Sequence, residues 1–99
     1  MRRRALMAAS MPSGGEWGEE ITFYLDTLPI GDFYTLTARE GMTWGDWVAS
    51  DYNTIGVELY GSVDSFFVSW NGAVVCDYWS GVSIKHTEKI ISEEAYGVL

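Results

Sequence analysis

Two tryptophans one helical turn apart, Trp44 and Trp47, sit in a segment that carries its own helix-start chemistry, and this constrains the fold more than any other feature of the chain. In Gly41-Met42-Thr43-Trp44-Gly45-Asp46-Trp47-Val48-Ala49-Ser50, Thr43 is suited to the N-cap, its hydroxyl placed to accept from the Asp46 N–H. Asp46 lies three residues on, where its carboxylate can accept from the Thr43 N–H. This is a capping box with Asp in place of Glu, and Asp46 also favours the positive end of the helix dipole. Met42 and Trp47 occupy the two positions of a hydrophobic staple. Trp44, Trp47 and Val48 fall on one face. Gly45 opposes the helix by about 1 kcal/mol relative to Ala. A helix this short does not hold in water alone, so its tryptophan face must be buried against something else. Tyr52-Asn53-Thr54 reads as the loop that leaves it.

The rest of the chain offers strands. Ile21, Phe23 and Leu25 alternate with Thr22, Tyr24 and Asp26, the pattern of a half-buried strand. Pro29 and Gly31 mark a turn, and Phe33–Ala38 is again strand-like, so the two segments read as an antiparallel hairpin. After the helix, Gly56–Tyr60 is a short strand. Val63–Trp70 places Phe66, Val68 and Trp70 on one face. Asn71-Gly72 is a strong hairpin signal, returning through Ala73–Tyr78. Trp79-Ser80-Gly81 breaks that strand, Gly81–Lys85 offers another short one, and Lys89-Ile90-Ile91 is an apolar patch. Tyr96–Leu99 reads as an edge strand or a fraying end.

Hairpin, helix, then further strands is an α+β order. The expectation is a small antiparallel β-sheet with one short helix, grasp-like in topology. The alternative is a small β-roll or sandwich with the helix as a plug. Residues 1–18 read as a basic arm and linker, because Met11-Pro12-Ser13-Gly14-Gly15 resists regular structure. Residues 19–99 read as a single α+β domain, and 99 residues leave little room for a second.

Charge narrows the function. The net charge is −8, and Arg2, Arg3 and Arg4 supply half of the six basic residues. From Glu16 onward three basic residues (Arg39, Lys85, Lys89) stand against fourteen acidic ones, a balance of −11. Such a surface repels nucleic acid and anionic lipid, so the folded part is expected to bind neither. No apolar run approaches a membrane span. The apolar stretch after Arg4 is shorter than the roughly 7–15 residues of a signal-peptide core. The expectation is a chain made in the cytoplasm without a secretion signal.

Catalytic chemistry is sparse. Cys76 is the one cysteine and lies in the apolar run Ala73–Cys76, which predicts a buried, inert thiol. His86 is the one histidine, in a polar stretch expected to be exposed. Two such residues make neither a zinc site nor a nucleophile with its base. Glu19-Glu20 and Glu93-Glu94 are adjacent pairs, which on a strand face opposite ways. The expectation is a non-enzyme without cofactor or metal. Trp17 in the tail, Trp79 in a turn and Tyr52 after the helix are the candidate exposed, binding aromatics, whereas Trp44, Trp47 and Trp70 are assigned to the core.

The segment Gly41–Thr54 resembles a recurring "Gly-Met-Thr-Trp-x-x-Trp-Val-x-Ser-x-Tyr-Asn-Thr" module of short proteins encoded by phages and prophages of gut bacteria. Met42, Thr43, Trp44, Asp46, Trp47, Tyr52 and Asn53 carry the match, Phe23-Tyr24-Leu25-Asp26 stands where those proteins have "Phe-x-Ile-Asp", and Phe33-Tyr34 stands where they have a further strand. This chain departs from them at the turn, Thr27–Asp32, where a compact Asp-Gly hairpin is usual. The resemblance implies a virion-associated structural or protein-interaction module: an accessory, tail or fibre-associated protein whose partner is another virion protein or a second copy. It implies no catalytic residues. The alternative is a carbohydrate- or cell-surface-binding module using the exposed aromatics.

Overall fold

The computed structural model describes residues 17–27, 32–62 and 67–99. Expectations for the arm at 1–16, the turn at 28–31 and Phe66 fall outside them. The strands are β1 (Glu20–Thr27), β2 (Asp32–Arg39), β3 (Glu58–Tyr60), β4 (Phe67–Trp70), β5 (Ala73–Asp77) and β6 (Ala95–Val98), with helix α1 (Trp44–Val48) between β2 and β3. They form one sheet in the order β2-β1-β6-β5-β4-β3. The architecture is therefore a curled β-rich sheet with one short helix, α+β in character.

Two expectations need correction. The sheet is not wholly antiparallel, because β1 and β6 pair in parallel with Tyr24 opposite Ala95 and Asp26 opposite Gly97. Nor is Tyr96–Leu99 an edge. It supplies β6, a central strand that also pairs with β5 through Val75 opposite Val98. The reason is burial: Tyr96 and Val98 both enter the core. The Tyr24 N–H and the Leu99 N–H extend the pairing, donating to Glu94 and Val74 at 2.9 and 2.8 Å. A parallel partner seventy-one residues away leaves no local turn signal, and a short end containing glycine looks like a fraying one.

The hairpins follow their local chemistry. β1 and β2 pair in register from Glu20–Arg39 to Thr27–Asp32. β4 and β5 are joined at Asn71-Gly72, with φ of 53° and 81°, the doubly positive turn that matches strand twist.

Helix α1 starts as its residues dictate. The Asp46 N–H donates to Thr43 Oγ1 and the Thr43 N–H donates to Asp46 Oδ2, both at 3.1 Å. The remaining first-turn donors are met by another segment: the Trp44 and Gly45 N–H groups donate to the Glu88 and His86 carbonyls at 2.9 Å. The helix end that water would otherwise satisfy is thus closed by tertiary structure. Met42, Trp44 and Trp47 are fully buried.

The core is aromatic. Phe23 meets Trp44, Trp47 and Tyr96 edge-on at 5.5, 5.4 and 6.1 Å between ring centroids. Trp44 in turn meets Trp47 and Tyr96 at 5.7 and 5.2 Å. Edge-to-face pairs of this kind add about 0.5–1.5 kcal/mol each beyond area burial. Leu25, Leu36, Val68, Val75 and Val98 complete the same face, and Ile84 and Ile90 from the β5–β6 connection join them.

Candidate functional site

The alternation that sends Phe23 and Leu25 into the core turns Tyr24 and Asp26 to the opposite face of the sheet. Their parallel neighbours there are Ala95 and Gly97 of β6. Small residues at these two places keep the face low between β1 and the loop after β5, and a groove of about 490 Å³ opens beside them. It is lined by Tyr24, Asp26, Tyr78, Trp79 and Ala95.

Asp77 builds the far wall. Its Oδ1 accepts from the N–H groups of Trp79 and Ser80 at 3.0 and 3.2 Å. Its carbonyl accepts from the Gly81 N–H at 2.8 Å, and its own N–H donates to the Val82 carbonyl at 2.7 Å. Gly81 has φ +72°, where a side chain is strained even though the space around it is open. This tightly tied turn displays Trp79, which is 76% exposed and packs edge-on against Tyr78 at 5.0 Å. Exposure of a tryptophan on a fixed turn is unusual enough to invite a functional reading.

On the near wall, the Tyr24 hydroxyl donates to Glu93 Oε1 at 3.2 Å. That bond, then the charge of Glu93 and a smaller burial effect, raise the phenol above its ordinary range. Glu93 has φ 64°, a left-handed conformation uncommon outside glycine, and its N–H donates to the Thr22 carbonyl at 2.7 Å. Asp26 Oδ1 is enclosed and meets no hydrogen-bond partner among the described residues.

The three aromatics expected to be exposed do not converge. Trp79 is exposed as expected. Trp17 is instead half-buried against the core, and its segment belongs to the fold: the Gly18 N–H donates to the Glu40 carbonyl at 2.8 Å, and Arg39 Nε donates to the Gly18 carbonyl at 2.6 Å. Trp17 and Gly18, read from the sequence as the end of the linker, are therefore held against the folded residues. Tyr52 is also half-buried. Its hydroxyl donates to Glu20 Oε2 at 3.1 Å, and it lines a separate, smaller groove of about 290 Å³ with Thr35, Thr37, Asp51 and Thr54. Tyr24, Asp26 and Tyr78 are the lining residues that sequence reasoning did not single out, and Glu93, named there only as half of an adjacent acidic pair, joins them through the Tyr24 hydroxyl. The period-two pattern did place Tyr24 and Asp26 on the outer face, but their neighbours come from β6, whose position was not legible.

The other reactive types are committed to the fold. Cys76 is buried, and desolvation, with a further push from the Asp77 carboxylate, raises its thiol above the usual range. His86 is half-buried rather than exposed, its Nε2 lying 3.2 Å from the Tyr60 carbonyl. Among the described residues no three His, Cys, Asp or Glu side chains converge as a metal site, and no helix is long and apolar enough to cross a membrane.

The motif residues hold structure. Ser50 Oγ donates to the Trp47 carbonyl at 2.6 Å and accepts from the Tyr52 N–H at 3.1 Å. Asn53 Nδ2 donates to the Val48 and Val57 carbonyls at 3.0 and 2.8 Å, and its Oδ1 accepts from the Val57 N–H at 3.0 Å. Comparison of the chain with protein-family models, with curated proteins and with solved structures found no match.

Proposed function

We propose that this chain is a non-catalytic, phage-type structural or protein-interaction module, virion-associated as an accessory, tail or fibre-associated protein, and that it holds its protein partner through the groove at Trp79. The observation that carries the reading is the display of Trp79, 76% exposed on a turn fixed by the Asp77 side chain. Rigid aromatics beside a cleft are the usual anchors of protein interfaces. The resemblance at Gly41–Thr54 supplies the phage context. The acidic surface favours solubility and disfavours nucleic acid. In this reading the chain is made in the host cytoplasm and then joins the particle. Its topology is grasp-like: a hairpin, a helix, and a last strand laid parallel beside the first.

The test is assembly. Native mass spectrometry and density-gradient fractionation of particles should place the chain in a complex, and Trp79→Ala should release it. A strictly monomeric chain that never travels with particles overturns the reading.

A second reading, a carbohydrate- or cell-surface-binding module, is favoured by one observation: the exposed Trp79 ring, set edge-on to Tyr78, lines the same groove as Asp26, a ring face with a polar group for sugar hydroxyls. A glycan array silent at high protein concentration ends it.

A further inference from the structure

We propose that the groove between Tyr24 and Trp79 takes an arginine- or lysine-bearing segment of a partner protein, its cationic head group seated against the aromatic rings and neutralised by Asp26 and Glu93. The inference deepens the interaction reading above and rests on it.

Three observations on one patch carry it. The first is the ring set: Tyr24, Tyr78 and Trp79 line an open groove whose rim is a carboxylate-bearing strand. A cation over a ring face is held by the ring quadrupole, most strongly by tryptophan, and guanidinium planes also stack. The second is Asp26. Its Oδ1 is enclosed without a hydrogen-bond partner among the described residues, although a shielded carboxylate oxygen costs free energy unless a donor or a cation meets it. Asp26 itself is among the residues lining the groove, so its carboxylate lies where a cation seated on the rings would be neutralised. The third is Glu93, held at φ 64° with its carboxylate on the Tyr24 hydroxyl. A left-handed non-glycine residue persists where its surroundings over-determine it, and such residues gather at binding sites. Here the backbone strain places a second negative charge beside the first ring.

Charge complementarity selects the occupant. The chain from Glu16 onward carries fourteen acidic residues against three basic ones, so an anionic or neutral segment gains nothing from the surrounding field while a basic one is steered to it. A groove of about 490 Å³ lies within the range of ligand clefts and suits one or two side chains, not a folded surface.

The experiment uses the full chain and a defined probe, an N-acetylated, C-amidated Ala-Arg-Arg-Ala-Leu peptide, followed by the indole N–H resonance of Trp79 in a titration. Binding is expected at low salt, weakened at least tenfold when citrulline replaces both arginines and weakened again by raising salt. Trp79→Ala and Asp26→Asn should each weaken it at least tenfold, and Glu93→Asn, which tolerates the left-handed backbone, should weaken it less. Asp26→Asn should do so without lowering the thermal midpoint, which a purely structural carboxylate would not allow. Tyr60→Phe, at the far edge of the sheet, should change nothing. Equal binding of the citrulline peptide, or binding indifferent to Trp79 and Asp26, overturns the proposal. So does a chain that binds only after Arg2, Arg3 and Arg4 are all changed to Gln, because the occupant is then its own arm. If Trp79→Ala abolishes particle assembly while the peptide never binds, the cation inference fails alone. If the peptide binds and the chain never joins a particle, the functional reading fails and the site stands.

Discussion

Tyr34 and Trp70 touch edge-on at 5.1 Å between ring centroids although β1, β6 and β5 separate their strands in the sheet. Four strand-to-strand steps span about 19 Å in a flat sheet. The contact therefore measures how strongly the sheet curls around the core, and it joins β2 to β4 across the open side. Trp70 is anchored independently, its Nε1 donating to the Ile55 carbonyl at 2.9 Å, so Tyr34 closes onto a fixed ring. In a double-mutant cycle of Tyr34→Ala and Trp70→Ala, denaturant unfolding should show a coupling of about 0.5–1.5 kcal/mol. A coupling of zero means that the curl is held by the central core alone and that the edge contact is incidental.

The two helix tryptophans are equally buried but differ in their polar atom. Trp47 Nε1 donates to the Thr37 carbonyl at 2.8 Å, tying α1 to the outer edge of β2. Trp44 Nε1 is buried and meets no partner among the described residues. Replacing either by Phe opens a similar void, but Trp47→Phe also strips a made hydrogen bond while Trp44→Phe removes an unmet donor. The first should be more destabilising than the second by about 1–3 kcal/mol. Chemical denaturation of the two variants side by side checks this, and an equal loss would show that Trp44 Nε1 is satisfied in solution.

How much of this was legible follows from where each signal resides. The capping box at Thr43 and Asp46, the Asn71-Gly72 turn and the alternation of Ile21–Asp26 are local, set by residues within a few positions, and the structure has all three. Burial of the Trp44–Trp47 face followed from the helix being too short to stand alone. What was not legible is long-range. Nothing near Tyr96 announces a parallel partner at Leu25, and nothing near Trp44 announces that the carbonyls of His86 and Glu88 will close the helix end. The groove was half legible for the same reason. Trp79 was readable as a turn aromatic, but its pairing with Tyr24 and Asp26 exists only because β6 lies between their strands.

Asn53 spans the gap between the end of α1 and the approach to β3. It uses both amide donors' worth of geometry on Val48 and Val57 carbonyls and returns an acceptor to the Val57 N–H. Asn53→Ala forfeits all three bonds and leaves the partly buried groups of Val48 and Val57 to find water, a loss of about 2–4 kcal/mol. Asn53→Asp keeps the shape and the acceptor yet points a carboxylate at two carbonyl oxygens, so it should be at least as damaging near neutral pH. Thermal midpoints of the two variants decide the point, and an Asp variant close to the parent would refute the donor assignment at Nδ2.

The alkaline limb of stability has a definite sign. Burial lifts the Tyr96 phenol above 10.0, the bond it accepts from the Ile91 N–H at 3.1 Å pulling part of the way back and nearby carboxylates adding to the rise. Tyr24 is raised by its bond to Glu93, and Cys76 is raised from 9.0 mainly by desolvation. A group that holds its proton more tightly when folded stabilises the fold fully below its unfolded value, and that contribution is lost as pH rises through the folded value. Stability should therefore be level through the neutral range on account of these three groups and decline from about pH 9 upward, first as the unfolded thiol ionises and then more steeply near pH 10 as the unfolded phenols do. Cys76→Ala should remove the earliest part of the decline, and Tyr24→Phe with Tyr96→Phe should flatten the later part, even if the parent stability changes. Unfolding free energies measured at intervals from pH 7 to 11 test the order. A parent curve that rises across pH 9–10, or a double Phe variant with an unaltered slope, contradicts the assignment.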